Sequence, residues 1–207
     1  GHFKVLKWLR KNGCEWDLST CDIAAKRGDV EMLKWARENG CPWTIYTCYA
    51  AAASGKLEAL KWAMENNCPW DDKLCLITAE GGYLEALKYV RSKGARWDER
   101  TCARGACQGH LEVLKWAREN GCKWNESTCA KAARGGELEV LKWARQNGAP
   151  WDSKTCANAA AGGYLKILKW ARANGCDWDF KTCKRAAKRN NNKVLRWAKE
   201  NGATLEE

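Results

Sequence analysis

A single 27-residue repeat runs along the whole chain and limits the folds open to it. No insertion interrupts its register over the 207 residues. Self-similarity at such a period is typical of stacked supersecondary units, each of which contacts only its neighbours. The sequence therefore predicts one elongated array over 1–207. Its repeats open at Gly1, Gly28, Gly55, Gly82, Gly109, Gly136 and Gly163, and an incomplete eighth repeat opens at Asn190.

Each repeat contains two helical segments, seen most clearly in repeat 5 (109–135). Residues 110–120 carry Leu111, Leu114 and other apolar side chains at helical spacing, which predicts a long helix with one buried side. Gly121 follows as a C-terminal cap, and Asn67 takes its place in repeat 3. A second, shorter helix is expected over 126–134. The chain is therefore predicted to be an all-α helical-repeat solenoid of eight long and seven short helices without strands.

The residue before each short helix is a good helix cap in every repeat. Its side-chain oxygen can accept a hydrogen bond from the first free backbone amides. The residues at this position are Asp17, Thr44, Asp71, Asp98, Asn125, Asp152 and Asp179. Behind the cap, Cys129, Ala132 and Ala133 form a stripe of small residues that favours close packing between short helices.

The residues of repeats 5 and 6 carry a family resemblance. The stretch Ser-Thr-Cys-Ala-Lys-Ala-Ala at 127–133, followed by Gly-Glu-Leu-Glu-Val-Leu-Lys at 136–142, resembles the ankyrin repeat, whose unit reads TPLHLAA, two further residues and GHLEIV. The stretch at 119–125 is similar to the family's ENGADVN. The family unit has about 33 residues, and the residues missing here fall where it carries a β-hairpin. The resemblance implies ankyrin-like helix-turn-helix stacks without β-hairpins, similar to the short Trp- and Cys-rich variant of large DNA viruses and some protists.

The distribution of the thirteen cysteines argues against a disulfide scaffold. Ala replaces the second repeated cysteine at Ala95, Ala149 and Ala203, while Cys102 and Cys156 remain without a partner. A crosslink loses both of its members together, whereas a small packing residue exchanges freely with Ala. Equivalent cysteines of adjacent repeats are expected about 10 Å apart, beyond the ~7 Å limit for a disulfide. The sequence therefore predicts reduced core thiols and an intracellular location, in the cytoplasm or nucleus.

The fourteen tryptophans fall at two repeat positions and are predicted to be structural. A ladder of aromatic rings can stack nucleobases, but here each Trp lies on or beside the leucine face of the long helix. No catalytic nucleophile, glycine-rich phosphate loop or HExxH motif is present, and the histidines are His2 and His110 alone. We therefore expect no enzyme, no metal site and no cofactor. No apolar run approaches the ~20 residues of a membrane span.

The outward positions of the short helices differ between the two parts of the chain. At 100° per residue, Ser127, Lys131 and Arg134 point away from the small-residue stripe. In repeats 4–7 these positions are mostly basic and include no acid, and they give the candidates Arg100, Arg104, Lys131, Arg134, Lys154, Lys181, Arg185 and Lys188. In repeats 1–3 they are mostly apolar or neutral. There, Tyr46, Tyr49 and Ile77 are candidates for an apolar anchor.

These patterns favour a monomeric protein-interaction module that binds an acidic segment of a partner protein. The concave short-helix face would provide the contact, and the resemblance agrees because ankyrin arrays mostly bind proteins. The first alternative is nucleic-acid binding through the phosphate backbone at the basic stripe, and the second is a passive spacer. On the outer face of the long helix, Glu112, Lys115 and Glu119 are predicted to form self-neutralising ion pairs without a function.

Overall fold

The computed structural model describes residues 2–205, so Gly1 at the start of repeat 1 lies outside the described residues. Within that range the chain forms fifteen α-helices and no strands, as predicted for an all-α helical-repeat fold. The expected difference in helix length is wrong. Helix α9 (Leu111–Glu119) has 9 residues and helix α10 (Glu126–Gly135) has 10, because His110 and Asn120 cap α9 instead of belonging to it.

Two helices alternate through the repeats, and we refer to them by odd and even numbers. The odd-numbered helices are α1 (His2–Lys11), α3 (Val30–Glu38), α5 (Leu57–Glu65), α7 (Leu84–Ser92), α9, α11 (Leu138–Gln146), α13 (Leu165–Ala173) and α15 (Asn192–Glu200). The even-numbered helices are α2 (Ser19–Arg27), α4 (Ile45–Ala53), α6 (Lys73–Glu80), α8 (Glu99–Cys107), α10, α12 (Ser153–Gly162) and α14 (Phe180–Lys188). These even-numbered helices are the predicted short helices.

The helices form two compact units, which we call the N-terminal module (Gly1–Arg96) and the C-terminal module (Trp97–Glu207). In the N-terminal module α2 packs against α4, and α4 against α6. In the C-terminal module α8, α10, α12 and α14 pack side by side in chain order. Each module is thus built by neighbour-to-neighbour stacking, while a single array over 1–207 stays a prediction.

In most repeats, a residue with a left-handed backbone conformation follows each of the two helices, and this residue is nearly always glycine. The two exceptions are asparagines, Asn67 with φ of 65° and Asn190 with φ of 56°, each at a position that is glycine in the other repeats. Asparagine tolerates this conformation better than other residues with a side chain. The substitution confirms the capping role predicted for Gly121 and Asn67.

The predicted helix caps are present before the even-numbered helices. The side chains of Thr44, Asp98, Asn125, Asp152 and Asp179 each accept a hydrogen bond from the backbone amide two residues later. In repeats 1 and 3 the helix begins one residue later. Even there, the cap carboxylates still accept hydrogen bonds from the backbone amides of the residues two positions on, at 2.6 and 2.9 Å.

The core of each module consists of leucine, small residues and thiols. The repeated leucine is fully buried in repeats 2–7, at Leu33, Leu60, Leu87, Leu114, Leu141 and Leu168. The cysteines are reduced, and all except Cys14 and Cys107 are buried. The expectation that Cys102 and Cys156 lack partners is wrong. The partner comes from the next repeat along the chain and not from the same one: the Cys156 sulfur lies 3.9 Å from the Cys176 carbonyl oxygen, and the Cys122 sulfur lies 3.3 Å from the Asp98 carbonyl oxygen, one helical turn before Cys102.

The tryptophans pack against each other between repeats. The second Trp of one repeat meets the first Trp of the next edge to face, as in Trp97–Trp116 at 5.5 Å and Trp124–Trp143 at 5.9 Å between ring centroids. The Arg118 guanidinium lies 4.1 Å from the Trp124 ring and donates a hydrogen bond to the Cys122 carbonyl. Since their faces are occupied in this way, these rings serve the packing between repeats, as the sequence indicated.

Candidate functional site

The even-numbered helices of the C-terminal module present the predicted outward residues on one side. On α10, Thr128, Cys129 and Ala132 are buried, whereas Arg134 is exposed and Lys131 is half-buried. The same alternation recurs on α8, α12 and α14 because the repeat length is constant. We call this surface the basic face. Its cationic residues are Arg100, Arg104, Lys131, Arg134, Lys154, Lys181, Arg185 and Lys188.

A chain of hydrogen bonds shows that equivalent residues of the basic face are neighbours. The Asn158 side-chain amide on α12 donates to the Ala130 carbonyl on α10 at 2.9 Å. The Arg185 guanidinium on α14 donates in turn to the Asn158 Oδ1 at 2.5 Å. Arg185 is half-buried and is therefore held in one orientation. Asn158 was absent from the sequence-based candidates because it is uncharged, although its position, equivalent to Lys131, could have suggested it.

Two cations of the basic face are neutralised by the caps of their own helices. Arg100 lies 2.7 Å from the Asp98 carboxylate, and Lys154 lies 3.3 Å from the Asp152 carboxylate. The hydrogen bond from Arg100 holds the pKa of Asp98 below its usual value. A side chain two residues after an acidic cap can reach back to it. Arg100 and Lys154 therefore add less to the attraction of anions than their charge alone indicates.

The remaining cations are concentrated toward α14. Among the described residues, no carboxylate lies within the 4.0 Å ion-pair distance of Lys131, Arg134, Lys181, Arg185 or Lys188. Repeat 7 carries eight Lys or Arg residues against two Asp residues, a net charge of +6. The basic face is therefore most positive at α14, where several cations have no opposing charge and attract a negatively charged ligand.

The apolar candidates lie in the N-terminal module and differ in how available they are. Tyr46 is 65% exposed, and its ring meets that of Tyr49 edge to face at 5.9 Å. Tyr49 is half-buried, and its hydroxyl donates to the Asp71 carboxylate at 2.6 Å. Burial and this hydrogen bond raise the pKa of Tyr49. Tyr46 is therefore the accessible aromatic residue, while Tyr49 supports it and Ile77 is half-buried on α6.

The odd-numbered helices carry the ion pairs predicted for their outer face. Lys115 lies 2.8 Å from Glu112 on α9, and Lys142 lies the same distance from Glu139 on α11. These pairs span three residues, and Glu119 takes part in none of the pairs found among the described residues. Because Lys61, Lys88, Lys115 and Lys142 each pair with a carboxylate, the outer face of α5, α7, α9 and α11 carries less unneutralised positive charge than the basic face.

Two equivalent depressions lie beside paired tryptophans, away from the predicted site residues. One, of about 460 Å³, is lined by Lys142, Arg145, Trp151, Trp170 and neighbouring residues. The other, of about 540 Å³, is the corresponding place beside Trp35 in the N-terminal module. Within residues 2–205 there is no group of three or more metal-ligating side chains, and no helix is long and apolar enough to cross a bilayer.

Comparison with known proteins identifies the fold. No family model and no curated protein matches the sequence. Among solved structures, the chain is similar to the human ASB11 ankyrin repeat domain, with a TM-score of 0.62 and 14% sequence identity. The match covers 76% of this chain and 84% of that one. At this identity the similarity concerns the fold alone, and the chain has the all-α, ankyrin-like repeat fold that its sequence motifs indicated.

Proposed function

We propose that this protein is an intracellular, non-enzymatic module that binds other proteins. Its basic face binds an acidic segment of the partner. The observation that carries the proposal is a set of cations on neighbouring even-numbered helices that have no carboxylate within ion-pair distance among the described residues, namely Lys131, Arg134, Lys181, Arg185 and Lys188. Complementary charge speeds encounter and selects against wrong partners. The ankyrin-like fold agrees with this role, since such repeats present extended binding surfaces. The 27-residue period also supports a relation to the short repeat variant of large DNA viruses and some protists.

The N-terminal module offers a second, separate contact of different chemistry. Tyr46 is exposed and its ring packs against that of Tyr49. The Tyr49 hydroxyl donates a hydrogen bond to the Asp71 carboxylate, which fixes the position of the Tyr49 ring. Exposed aromatic side chains are frequent energetic centres of protein interfaces. We infer that Tyr46, with Tyr49 and Ile77, contacts an apolar residue of a partner, while the basic face selects for its charge.

Nucleic-acid binding through the phosphate backbone is the alternative function for the basic face. The positive charge of repeat 7 is the observation that favours it. Against it, the Arg118 guanidinium lies over the Trp124 ring, which also contacts Trp143, so tryptophans paired in this way are not free to stack on bases. Trp8 is 63% exposed, but it lies on α1 and is not part of the basic face. We therefore place the protein partner first. The two functions differ in their dependence on salt, since duplex DNA binding loses about 0.9 log units of affinity per log unit of salt for each phosphate contacted.

Charge reversal on the basic face tests the proposal. The first variant combines Lys131→Glu, Arg134→Glu and Lys188→Glu, and a fluorescent glutamate-rich peptide serves as the probe. We expect the affinity for this peptide to fall at least about tenfold, because three unneutralised cations become anions. Fluorescence anisotropy at two salt concentrations measures the effect, with a labelled DNA duplex as the second probe.

The matched control reverses three lysines of the odd-numbered helices, Lys61, Lys115 and Lys142, to Glu. Each of these forms an ion pair in the structure, so the control changes net charge equally on another surface. We expect less than about a twofold effect on peptide binding. An equal loss of peptide affinity in both variants would show that binding depends only on overall charge, and it would refute the proposed binding face. Tighter binding of the duplex than of the peptide would support the alternative function.

A further inference from the structure

Pairs of cysteines meet across the boundaries between repeats. In each pair one cysteine lies on an even-numbered helix, and the other follows the odd-numbered helix of the next repeat, twenty residues later. The Cys156 sulfur lies 3.9 Å from the Cys176 carbonyl oxygen, and the Cys68 sulfur lies 3.4 Å from the Thr44 carbonyl oxygen, one helical turn before Cys48. Cys41, Cys122 and Cys176 take the same position as Cys68, at 3.9, 3.3 and 3.5 Å from the carbonyl oxygens of Asp17, Asp98 and Asp152. The four pairs are Cys21–Cys41, Cys48–Cys68, Cys102–Cys122 and Cys156–Cys176, and all eight cysteines are buried.

The two members of a pair differ chemically. The hydrogen bond from the Cys48 thiol lowers the pKa of Cys68, and the same bond together with burial raises the pKa of Cys48. The pKa values of Cys122 and Cys176 are lowered in the same way, whereas burial raises the pKa of Cys41. Three of the four pairs therefore combine a more acidic thiol, which follows the odd-numbered helix, with a protonated thiol across the repeat boundary.

The other repeats provide an internal contrast. Cys129 and Cys183 occupy the same helix position as Cys48, but Ala149 and Ala203 stand where the second thiol would be. The sulfurs of Cys129 and Cys183 lie 3.9 and 3.6 Å from the carbonyl oxygens of these alanines. Because alanine fills the site without disturbing the fold, the second thiol is not needed for packing.

We propose that the pairs Cys21–Cys41, Cys48–Cys68, Cys102–Cys122 and Cys156–Cys176 are oxidation sites at which hydrogen peroxide forms a reversible disulfide between adjacent repeats. Peroxide is small enough to reach buried thiols through local opening of the loop. A crosslink of this kind ties the even-numbered helix of one repeat to the end of the odd-numbered helix in the next. The reduced protein stays folded without it.

The reaction balances with peroxide as the oxidant. The Cys68 thiolate attacks one peroxide oxygen, the O–O bond breaks, and the departing hydroxide takes up a proton, which leaves a sulfenic acid and water. The Cys48 sulfur then attacks the Cys68 sulfur and the S–O bond breaks. The leaving hydroxide takes the Cys48 proton as a second water. Two thiols are oxidised to one disulfide, and one peroxide is reduced to two waters.

Peptide mapping after oxidation tests the proposal. The full chain carries Cys14→Ala and Cys107→Ala, which remove the two cysteines that are not buried. It is treated with hydrogen peroxide, alkylated in denaturant and digested without reductant. We expect four crosslinked peptides joining the named pairs, with Cys21–Cys41 the slowest to form, the loss of eight titratable thiols, and a rise of about 5–10 °C in melting temperature. Dithiothreitol should restore the thiols.

Two matched variants sharpen the test. Cys122→Ala copies the natural composition of repeats 5 and 6, so it should keep the fold by circular dichroism and abolish only the Cys102 crosslink. Ala149→Cys should add a fifth crosslink, to Cys129, which is otherwise alkylated. Loss of Cys129 as fast as Cys102 in the parent protein would overturn the proposal. So would an Ala149→Cys variant that stays reduced, or oxidation that yields sulfinic acids without crosslinked peptides.

Discussion

The same column of the even-numbered helices is apolar in one module and basic or polar in the other. In the N-terminal module it consists of Ile23, Ala50 and Ile77. In the C-terminal module it consists of Arg104, Lys131, Asn158 and Arg185. The backbone and the buried stripe behind the column are alike in both modules. Since the helix geometry is constant, two surfaces of opposite character follow from substitutions at positions that do not contribute to the core.

A second column determines how closely the even-numbered helices pack. It holds Tyr49 in repeat 2 but Ala103, Ala130 and Ala157 in repeats 4–6. The three alanines are 5% exposed or less, and the helices α8, α10, α12 and α14 approach closely, whereas α4 and α6 lie farther apart. A side chain too large for the contact separates the helices and must find another partner, which for Tyr49 is Asp71. Alanine at this position therefore goes with a close contact to the next even-numbered helix, and Tyr49 goes with the wider spacing between α4 and α6.

The largest expected effect comes from placing the residue of the N-terminal module into the C-terminal one. Ala130→Tyr puts an aromatic ring into the tight contact between α10 and α12, where Ala130 is 5% exposed. We expect a loss of about 3 kcal/mol or more in the free energy of unfolding, because the overpacked helices must move apart. Guanidinium denaturation followed by circular dichroism measures it.

The control for that substitution is Lys184→Tyr. Lys184 occupies the equivalent position on α14, but it is exposed because no further even-numbered helix covers it. A change within about 0.5 kcal/mol is expected, as for ordinary surface substitutions. Equal losses from the two variants would mean that tyrosine is unfavourable at this position irrespective of packing, and the comparison between the modules would fail.

An intermediate effect is expected from the buried threonines, and its sign should differ between the modules. The Thr47 hydroxyl donates to the Asp22 carboxylate at 2.6 Å, whereas Thr128, Thr155 and Thr182 find no hydrogen-bond partner among the described residues. Thr47→Val should lower the free energy of unfolding by about 1.5–3 kcal/mol, since it removes a hydrogen bond to a charged group.

In contrast, Thr128→Val should be neutral or should stabilise the protein by about 1 kcal/mol, because valine has the same shape and leaves no buried hydroxyl unsatisfied. Urea titrations of both variants give the two values. Thr128 differs from Thr47 because Ala103 on α8 occupies the position that Asp22 occupies on α2. If Thr128→Val destabilises as much as Thr47→Val, the hydroxyl has a role in the C-terminal module that its surroundings do not reveal.

The smallest expected effect is the same in both modules. Glu58→Gln and Glu139→Gln each break an ion pair on an odd-numbered helix, to Lys61 at 2.9 Å and to Lys142 at 2.8 Å. Each should cost about 0.2–0.5 kcal/mol, because such surface pairs are screened and solvated. Parallel thermal melts at low and high salt measure the losses, and high salt should make them smaller. A difference between the two variants would contradict the equivalence of this face.

Much of the fold could be predicted from the sequence because the information is local and repeated. The caps at Asp98 and Asn125, and the asparagines at the left-handed positions, require only backbone geometry within a few residues. The pairing of helices, the burial of leucine and the partial burial of most tryptophans follow from apolar spacing. Helix length was mispredicted because the end of a helix depends on a single capping residue, such as His110.

The candidate site was only partly predictable. The residues of the basic face were identified by their helical phase, and the structure places them on one side of α8, α10, α12 and α14. The neutralisation of Arg100 by Asp98, the anchoring of Arg185 by Asn158 and the binding of the Tyr49 hydroxyl by Asp71 were not predicted. Each of these contacts depends on the rotamer of a side chain and on the hydrogen-bonding groups of the neighbouring helix or loop. The repeat period alone predicts neither.

By itself, the sequence determined the repeat, the all-helical class and the side of each helix that turns inward, because these follow from periodicity and from backbone preferences. The tertiary structure decided which residues of different repeats touch. It placed Cys122 beside the start of the helix that carries Cys102, across a boundary that spacing within one repeat could not reveal, and it gave Thr47 a hydrogen-bond partner that Thr128 lacks among the described residues. The physical reason is that contacts between repeats depend on the distance between two helices. The side chains that lie between the helices set this distance, and it is defined only once the helices have packed.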